Sequence, residues 1–328
     1  MTGAEVGSGA NVGGGRRKTT GTRGRPKSFC ALVAVAIAAW ASDAPAEERV
    51  GLGWGRLFTN DLLGDGKDRW RSGSYTVSRV IGPAWTGSLP TQFGSVIELR
   101  FGGEIIAPSN LADPDKRDRP YAGNVSAGVH THWAVGEAEV RTGLDLVATG
   151  QQTGVASFQE WVHDWSGLGS GEINVNQLPD AIYPTISGEA AQRLVVQDAA
   201  YVRPFVELQA GVETFARVGA DLLIGPYWAD SLAIRDNVSG QLYRGVAGSR
   251  MRGVSGIIGA DYAYIFDSEY LPSGAGADFK TERVRVRAGA YMQWERVGVF
   301  YGATWLSKEF DGQPESQIVG SLRIDIGF

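Results

Sequence analysis

Acidic, amide and hydroxyl side chains cluster between two strand-like runs near residue 60. Asn60 and Asp61 are adjacent at the end of the first run, Asp65 and Asp68 follow, and Ser72 lies at the start of the second. A tight turn needs the glycines of this stretch but not its acids, and calcium prefers oxygen ligands of this kind. The spacing does not match an EF-hand loop, because a leucine occupies the third position. Calcium bound by scattered oxygens is therefore an alternative to a plain turn for this stretch.

The three histidines are the candidates for acid–base chemistry. His163 follows Gln159 by four residues in a segment whose apolar residues recur at helical spacing, so the two residues share one helix face. A neutral histidine suits the role of general base near pH 7, although a surface or capping histidine has the same spacing. His130 and His132 alternate with other residues in a strand. They are expected to face one side together, as polar lining or as a two-histidine metal site.

The C-terminal sequence alternates with a period of two over segments of roughly ten residues, the length of a membrane-spanning strand. In one segment Arg283, Arg285 and Arg287 share a face, and an apolar row ending at Trp294 shares the other. Charged residues on one face suit a wet barrel interior, and an apolar row with a terminal aromatic residue suits lipid. The last run, L-R-I-D-I-G-F, ends at Phe328 in a pattern typical of outer-membrane barrels.

These patterns predict an all-β protein, a twelve-stranded antiparallel transmembrane β-barrel, with a short helix and a long loop after the fifth strand. The helix is expected at 151–165 and the loop at 166–187. An even number of strands places both termini on the periplasmic side. The expected strands span residues 51–58, 72–82, 95–106, 121–133, 138–148, 192–202, 205–215, 216–226, 251–266, 282–294, 298–307 and 317–328.

Residues 1–46 have the features of a secretory signal peptide, which are a basic stretch, a short apolar run and a small-residue cleavage site. The expected mature domain is 47–328, and the chain's only cysteine, Cys30, precedes it. Beyond residue 46 there are 25 Lys and Arg against 34 Asp and Glu, which argues against nucleic acid as a partner. An exported, glycine-rich chain of this composition is a soluble periplasmic β-protein or an outer-membrane barrel. The strand lengths favour the barrel.

Four motifs, in this order, resemble the outer-membrane lipid A 3′-O-deacylase family. They are N-D…D-R…S-G at 60–73, D-R-P-Y-A-G at 118–123, Q-E-W-V-H at 159–163 followed by Gln177-Leu178, and K-E-F-D-G-Q at 308–313. The resemblance implies a barrel in the outer membrane of a Gram-negative cell, with an active site between the barrel wall and an outer helix. It also implies calcium-dependent hydrolysis of the 3′-linked acyloxyacyl ester of lipid A, and we expect a monomer.

The resemblance assigns catalytic roles by position. His163 matches the family's general base, which takes a proton from the water that attacks the ester carbonyl. Asn60, Gln159 and Ser72 match further catalytic positions. Asp61 and Glu172 are the expected ligands of calcium, which polarises the carbonyl and stabilises the oxyanion.

Two positions depart from the family's pattern. Gly169 stands where deacylases carry a glutamate, six residues after the histidine, and Glu172 is the nearest acid. On ungapped counting Asp113 stands where they carry a lysine, and Lys116 lies further on. The alternative function is therefore a non-catalytic barrel, structural or a narrow pore, that keeps the same fold.

Overall fold

The computed structural model describes residues 49–111, 115, 117–166, 176–248, 252–274 and 277–326. The predicted signal peptide lies outside these residues, as do Asp113, Lys116, Gly169 and Glu172. One helix, α1, spans Val155–Ser166 after a 3₁₀ turn at Gln151–Thr153. The strands are β1 Val50–Asn60, β2 Trp70–Gly82, β3 Val96–Ala107, β4 Ala122–Val135, β5 Ala138–Thr149, β6 Ala181–Gln192, β7 Leu194–Gln197, β8 Ala200–Ala210, β9 Glu213–Ile224, β10 Leu232–Arg235, β11 Leu242–Val246, β12 Gly253–Ser268, β13 Glu282–Gln293, β14 Val297–Leu306 and β15 Gln317–Ile326.

The described strands form a closed antiparallel barrel of twelve strand positions. Successive wall strands pair with each other, with β6 beside β8 and β9 beside β12, and β1 pairs with β15 to close the ring. The short β7 continues the position of β6 and also pairs with β8. Strands β10 and β11 form a separate hairpin. Closure leaves no free sheet edge in the wall, so every strand's backbone groups find partners within the barrel.

Alternation along each strand separates a charged interior from an apolar exterior, as the sequence predicts. Arg285 and Arg287 point into the lumen, where their Nε atoms lie 2.9 Å from Asp261 and 2.7 Å from Asp221. Val286 between them is 46% exposed on the outside. An apolar exterior is what a lipid environment requires of a barrel wall.

A β-hairpin fills much of the lumen. The segment after β9 enters the barrel from the rim that carries both chain ends, which we call the terminal rim. Arg235 of β10 lies 2.9 Å from both Glu189 and Asp221 of the wall, and the hydroxyl of Tyr243 in β11 lies 2.9 Å from that of Ser78. A polar cavity of about 120 Å³ remains between the hairpin and the opposite rim. None of the strands expected from the sequence covers this segment.

The lumen-facing pair of histidines belongs to the polar lining. The Nε2 atom of His132 lies 2.7 Å from Glu98, and that of His130 lies 3.1 Å from Asp145. Within the described ranges no group of three or more His, Cys, Asp or Glu side chains has the arrangement of a metal site. Of the two roles expected for His130 and His132, these contacts with carboxylates support that of polar lining.

The sixth strand differs from the prediction. The loop expected at 166–187 ends earlier, because β6 begins at Ala181, and the strand expected at 192–202 is instead divided by a turn before β8. Proline, glycine and serine make the sequence of β6 look like a loop, yet its residues alternate as in the other strands. Ile182 and Ile186 are exposed outside, while Thr185 and Glu189 are buried inside. No helix in the described part of the chain is long and apolar enough to cross a bilayer.

Candidate active site at the far rim

The turn between β1 and β2 lies at the rim opposite the chain ends, which we call the far rim, and Asn60 fixes its geometry. The Asn60 side chain donates from Nδ2 to the Ser72 carbonyl oxygen at 2.8 Å and accepts at Oδ1 from the Leu62 N–H at 2.8 Å. The amide therefore ties the outgoing strand to the returning one and also starts the turn. This confirms that Asn60 and Ser72 are neighbours, and it gives Asn60 a positioning role in the resting structure.

Asp61 is the most unusual carboxylate of this rim. It is fully buried, and its Oδ2 accepts a hydrogen bond of 2.8 Å from the Arg69 N–H, while Oδ1 has no hydrogen-bond partner among the described residues. Burial, with the negative charges of Asp68 and Asp65 nearby, raises the pKa of Asp61 to about 8. A buried carboxylate in this state favours either a bound proton or a cation.

The hydroxyl of Ser72 is the second polar group at this turn without a described partner. Its side chain is buried, and the Ser72 carbonyl oxygen accepts a 3.2 Å hydrogen bond from the Asp61 N–H across the turn. Asp61 and Ser72, whose backbones are hydrogen-bonded across the turn, thus each carry a buried side-chain oxygen without a described hydrogen-bond partner. Buried polar groups in native proteins are normally satisfied, so such a pair indicates a ligand site.

Contacts with the last strand hold the turn in place. A side chain at Gly64 would place its Cβ 2.1 Å from the Ile318 carbonyl oxygen, and Asp65 donates its N–H to the same oxygen at 3.0 Å. Trp70 adopts a positive φ of 53°, rare for a residue with a side chain, and its ring is buried against Phe310. Such strain persists only where the surroundings enforce it, and it is common near functional sites.

The D-R-P-Y-A-G motif connects the rim to the outer helix. Asp118 accepts hydrogen bonds of 2.7 Å and 2.5 Å from the N–H and hydroxyl of Ser109, and Arg119 reaches Glu309 in the barrel. Tyr121 is buried and donates its hydroxyl to Gln159 Oε1 at 2.9 Å. Burial, followed by the charge of Asp68, raises the Tyr121 pKa above its usual range, so the phenol remains a donor.

Helix α1 lies against the outside of the barrel wall, as the family resemblance implies. Val155 packs so closely on Gly123 of β4 that a Cβ there would lie 2.7 Å from the Val155 side chain. This close approach places Gln159 beside Tyr121. The negative charge of Asp68 adds to burial in raising the pKa values of both Tyr121 and Asp61, so Asp68 lies near both groups.

The site predicted from the sequence is therefore assembled in part. Asn60, Asp61 and Ser72 meet at the turn, whereas Gln159 lies on α1 and is hydrogen-bonded to Tyr121. His163 belongs to α1, one turn beyond Gln159, and its role as base remains a prediction. The role of Glu172 also remains a prediction, outside the described residues.

Two of the family motifs contain residues near this rim to which the sequence assigned no role. Tyr121 and Arg119 belong to D-R-P-Y-A-G, and Glu309 belongs to K-E-F-D-G-Q. Their partners are distant in sequence, so no local spacing connects them. The available signal was two intact motifs, one at the start of β4 and one between β14 and β15.

Removing the Tyr121 hydroxyl should impair the site without unfolding the barrel. Tyr121→Phe leaves the buried Gln159 carbonyl without its hydrogen-bond donor. An unsatisfied buried acceptor costs about 1–3 kcal/mol of stabilisation of the local structure. If the chain hydrolyses lipid esters, as the family resemblance implies, we expect that rate to fall about tenfold, in line with that range. Tyr75→Phe, which alters an exposed tyrosine, is the matched control and should be fully active. Equal activity of the two variants would remove Tyr121 from the site.

The sequence matches one family model over nearly its whole length. The model describes the outer membrane protein LpxR, and it covers residues 28–328. The chain belongs to the LpxR family of outer-membrane proteins. No curated protein matches the sequence.

One solved structure agrees with the family at the level of the fold. LpxR from Salmonella typhimurium is similar with a TM-score of 0.69 and 15% identity, covering 84% of this chain and all of that one. The β domain of the Bordetella autotransporter BrkA has a TM-score of 0.45 and 11% identity, covering 85% and 99%. The LpxR family places this barrel in the outer membrane, where its strands cross the bilayer.

Proposed function

We propose that this chain is an outer-membrane deacylase that hydrolyses the 3′-linked acyloxyacyl ester of lipid A. The observation that carries the proposal is the location of the site. The Tyr121–Gln159 pair lies where the outer helix α1 meets the outer face of the barrel wall, and the buried, half-unpartnered Asp61 lies in the β1–β2 turn at the same rim. An ester held in the membrane would approach from that side. A solute passing through the barrel would not.

The reaction is the addition of water to the ester carbonyl, followed by cleavage of the bond between the carbonyl carbon and the sugar oxygen. His163 accepts the proton of the attacking water and returns a proton to the departing 3′-oxygen, which leaves as a hydroxyl. The other product is the free acyloxyacyl acid. Asn60 holds the turn and Tyr121 orients Gln159, to which we assign contact with the reacting groups.

Calcium fits the donors that this rim provides. Asp61 offers a buried oxygen without a described partner, and the buried hydroxyl of Ser72 lies across the same turn. Glu172 is the further ligand that we propose. Bound calcium would supply positive charge that polarises the ester carbonyl and stabilises the oxyanion.

Hydrolysis by purified protein tests the function. The folded chain is incubated with lipid A and calcium, and the released acid and the remaining lipid are identified by mass spectrometry. We expect loss of one acyloxyacyl group, and none after a chelator removes calcium. Release of no acid by folded protein, under conditions where lipid is dispersed and calcium is present, would contradict the proposal.

Calcium dependence should vary with pH through Asp61. Because burial raises the pKa of Asp61 to about 8, calcium must displace a proton at neutral pH. The apparent calcium affinity should therefore rise as pH increases towards 8 and level off above it. Asp61→Asn should weaken calcium activation by about tenfold or more, since fewer ligand charges lower affinity, and should abolish this pH dependence. Asp115→Asn, at an exposed rim position, is the control.

The alternative function as a narrow pore is opposed by the filled lumen. The β10–β11 hairpin is fixed to the wall by Arg235, and charged residues of both strands and wall occupy the interior. Planar-bilayer recordings should show no steady conductance. Stable ohmic channels would favour the pore and would count against the proposed enzyme.

We also propose that the closed barrel works as a monomer.

A further inference from the structure

Helix α1 turns aromatic side chains away from the barrel. Phe158, Trp161 and Trp165 are 58%, 62% and 80% exposed, whereas Gln159 is buried against Tyr121. A helix on a water-facing surface has the reverse arrangement, with apolar residues inward and polar residues outward. The outer face of α1 is therefore matched to an apolar environment.

A polar edge runs beside this aromatic face. Ser157, Glu160 and Asp164 recur at i, i+3 and i+7, which places them in one stripe along the helix. Ser157 and Asp164 are exposed. The helix thus has a packed side, an aromatic side and a polar edge, the arrangement of a helix that lies in the plane of a membrane interface.

The aromatic face continues the lipid-facing surface of the barrel. Val155 of α1 packs on Gly123, an outward residue near the start of β4. The next outward residue on that strand, Val125, is 42% exposed, and Phe101 on β3 is 55% exposed. Two residues along a strand span about 7 Å. The helix therefore lies next to a surface that the membrane covers.

We propose that α1 is an interfacial helix whose aromatic face, formed by Phe158, Trp161 and Trp165, inserts into the leaflet around the far rim. Tryptophan is favoured at this depth because its ring is apolar and its N–H is polar. The polar edge then faces water. One consequence rests on the proposed function: the inserted helix holds Gln159 near the depth at which lipid ester groups lie.

Thiol labelling tests the orientation of the helix. In a chain carrying Cys30→Ser, Trp161→Cys provides the only thiol. It is labelled with the environment-sensitive fluorophore NBD, and the protein is folded into phosphatidylcholine vesicles. We expect blue-shifted emission and several-fold stronger quenching by nitroxide on the acyl chains than by iodide in water. Trp165→Cys should give the same result.

Matched positions make the result decisive. Ser157→Cys and Asp164→Cys, on the polar edge of the same helix, should be quenched by iodide, and Phe101→Cys on the wall should be quenched by lipid nitroxide. The proposal is overturned if both tryptophan positions behave like Ser157→Cys. It is also overturned if they resist both quenchers, which would mean that protein covers them.

The labelling measures depth and not hydrolysis, so the two proposals fail separately. Heat-modifiable migration of each labelled chain establishes that its barrel is folded. An inactive protein with a lipid-quenched helix would contradict the proposed deacylase alone. An active protein with a water-exposed helix would contradict the interfacial helix alone.

Discussion

His163→Ala lowers the rate of lipid A hydrolysis by about 10²- to 10⁴-fold, the usual contribution of a general base. The reason is that water is a poor nucleophile unless a group accepts its proton during attack. Calcium activation should persist in the variant, because the proposed calcium ligands, Asp61 and Glu172, are unchanged. The measurement is the rate of acid release from lipid A at saturating calcium.

Asp164→Ala provides the matched control for His163→Ala. The two residues are adjacent on α1, and Asp164 is exposed. It should retain full activity, and both variants should keep heat-modifiable migration. Activity of His163→Ala within about twofold of the parent chain, far below the effect of losing a base, would remove His163 from the mechanism.

Glu309→Ala destabilises the barrel strongly, because it leaves buried arginines without their shared carboxylate. Arg119 and Arg71 both pair with Glu309 below the far rim, and Arg283 lies 3.4 Å from it. Burial raises the pKa of Glu309, but the charges of Arg71, Arg283 and Arg119 outweigh it and hold that pKa well below its usual range. Removing one partner of a buried ion pair costs about 3–5 kcal/mol. The free energy of unfolding in urea measures the loss.

Comparison with Glu315→Ala separates the effect of losing a buried carboxylate from the effect of losing a negative charge. Glu315 also pairs with basic residues, Lys67 and Arg69, but its side chain is 51% exposed. Exposed ion pairs contribute little to stability because water screens them, so this variant should differ little from the parent. Arg119→Ala combined with Glu309→Ala should cost less than the sum of the single changes. Similar small losses for Glu309→Ala and Glu315→Ala would contradict the network.

Alternation made most of the barrel predictable from the sequence. Arg285 and Arg287 had to share a face with each other and not with Val286, and the structure places the arginines inside and the valine outside. The rule works because a strand's side chains point alternately to two sides, and the two sides of this wall face very different surroundings.

The sixth strand and the lumen hairpin could not be predicted in this way. Around Pro184 and Gly188 the residues of β6 have low strand propensity, and pairing with β5 and β8 overrides that preference. Strands β10 and β11 are buried on all sides by the barrel. Their sequence shows no alternation because both of their faces are covered.

The sequence could predict contacts between site residues that are close in the chain, but not contacts between residues that are far apart in it. Asn60, Asp61 and Ser72 flank one turn, so the hairpin alone brings them together. Tyr121 and Gln159 are 38 residues apart, and only the packing of α1 on the wall makes them partners. The resemblance to deacylases identified Gln159 as a candidate site residue, and the structure shows that its contact is Tyr121.

The measurement that tests the central claim most directly is the acyl composition of lipid A in living cells. Lipid A is extracted from Gram-negative cells that express the chain, that express His163→Ala at the same outer-membrane level, or that carry an empty vector, and is compared by mass spectrometry. We predict loss of the 3′-acyloxyacyl group only with the parent chain. Identical lipid A in all three cultures, with the parent barrel folded in the outer membrane, would contradict the proposal that this protein is a deacylase.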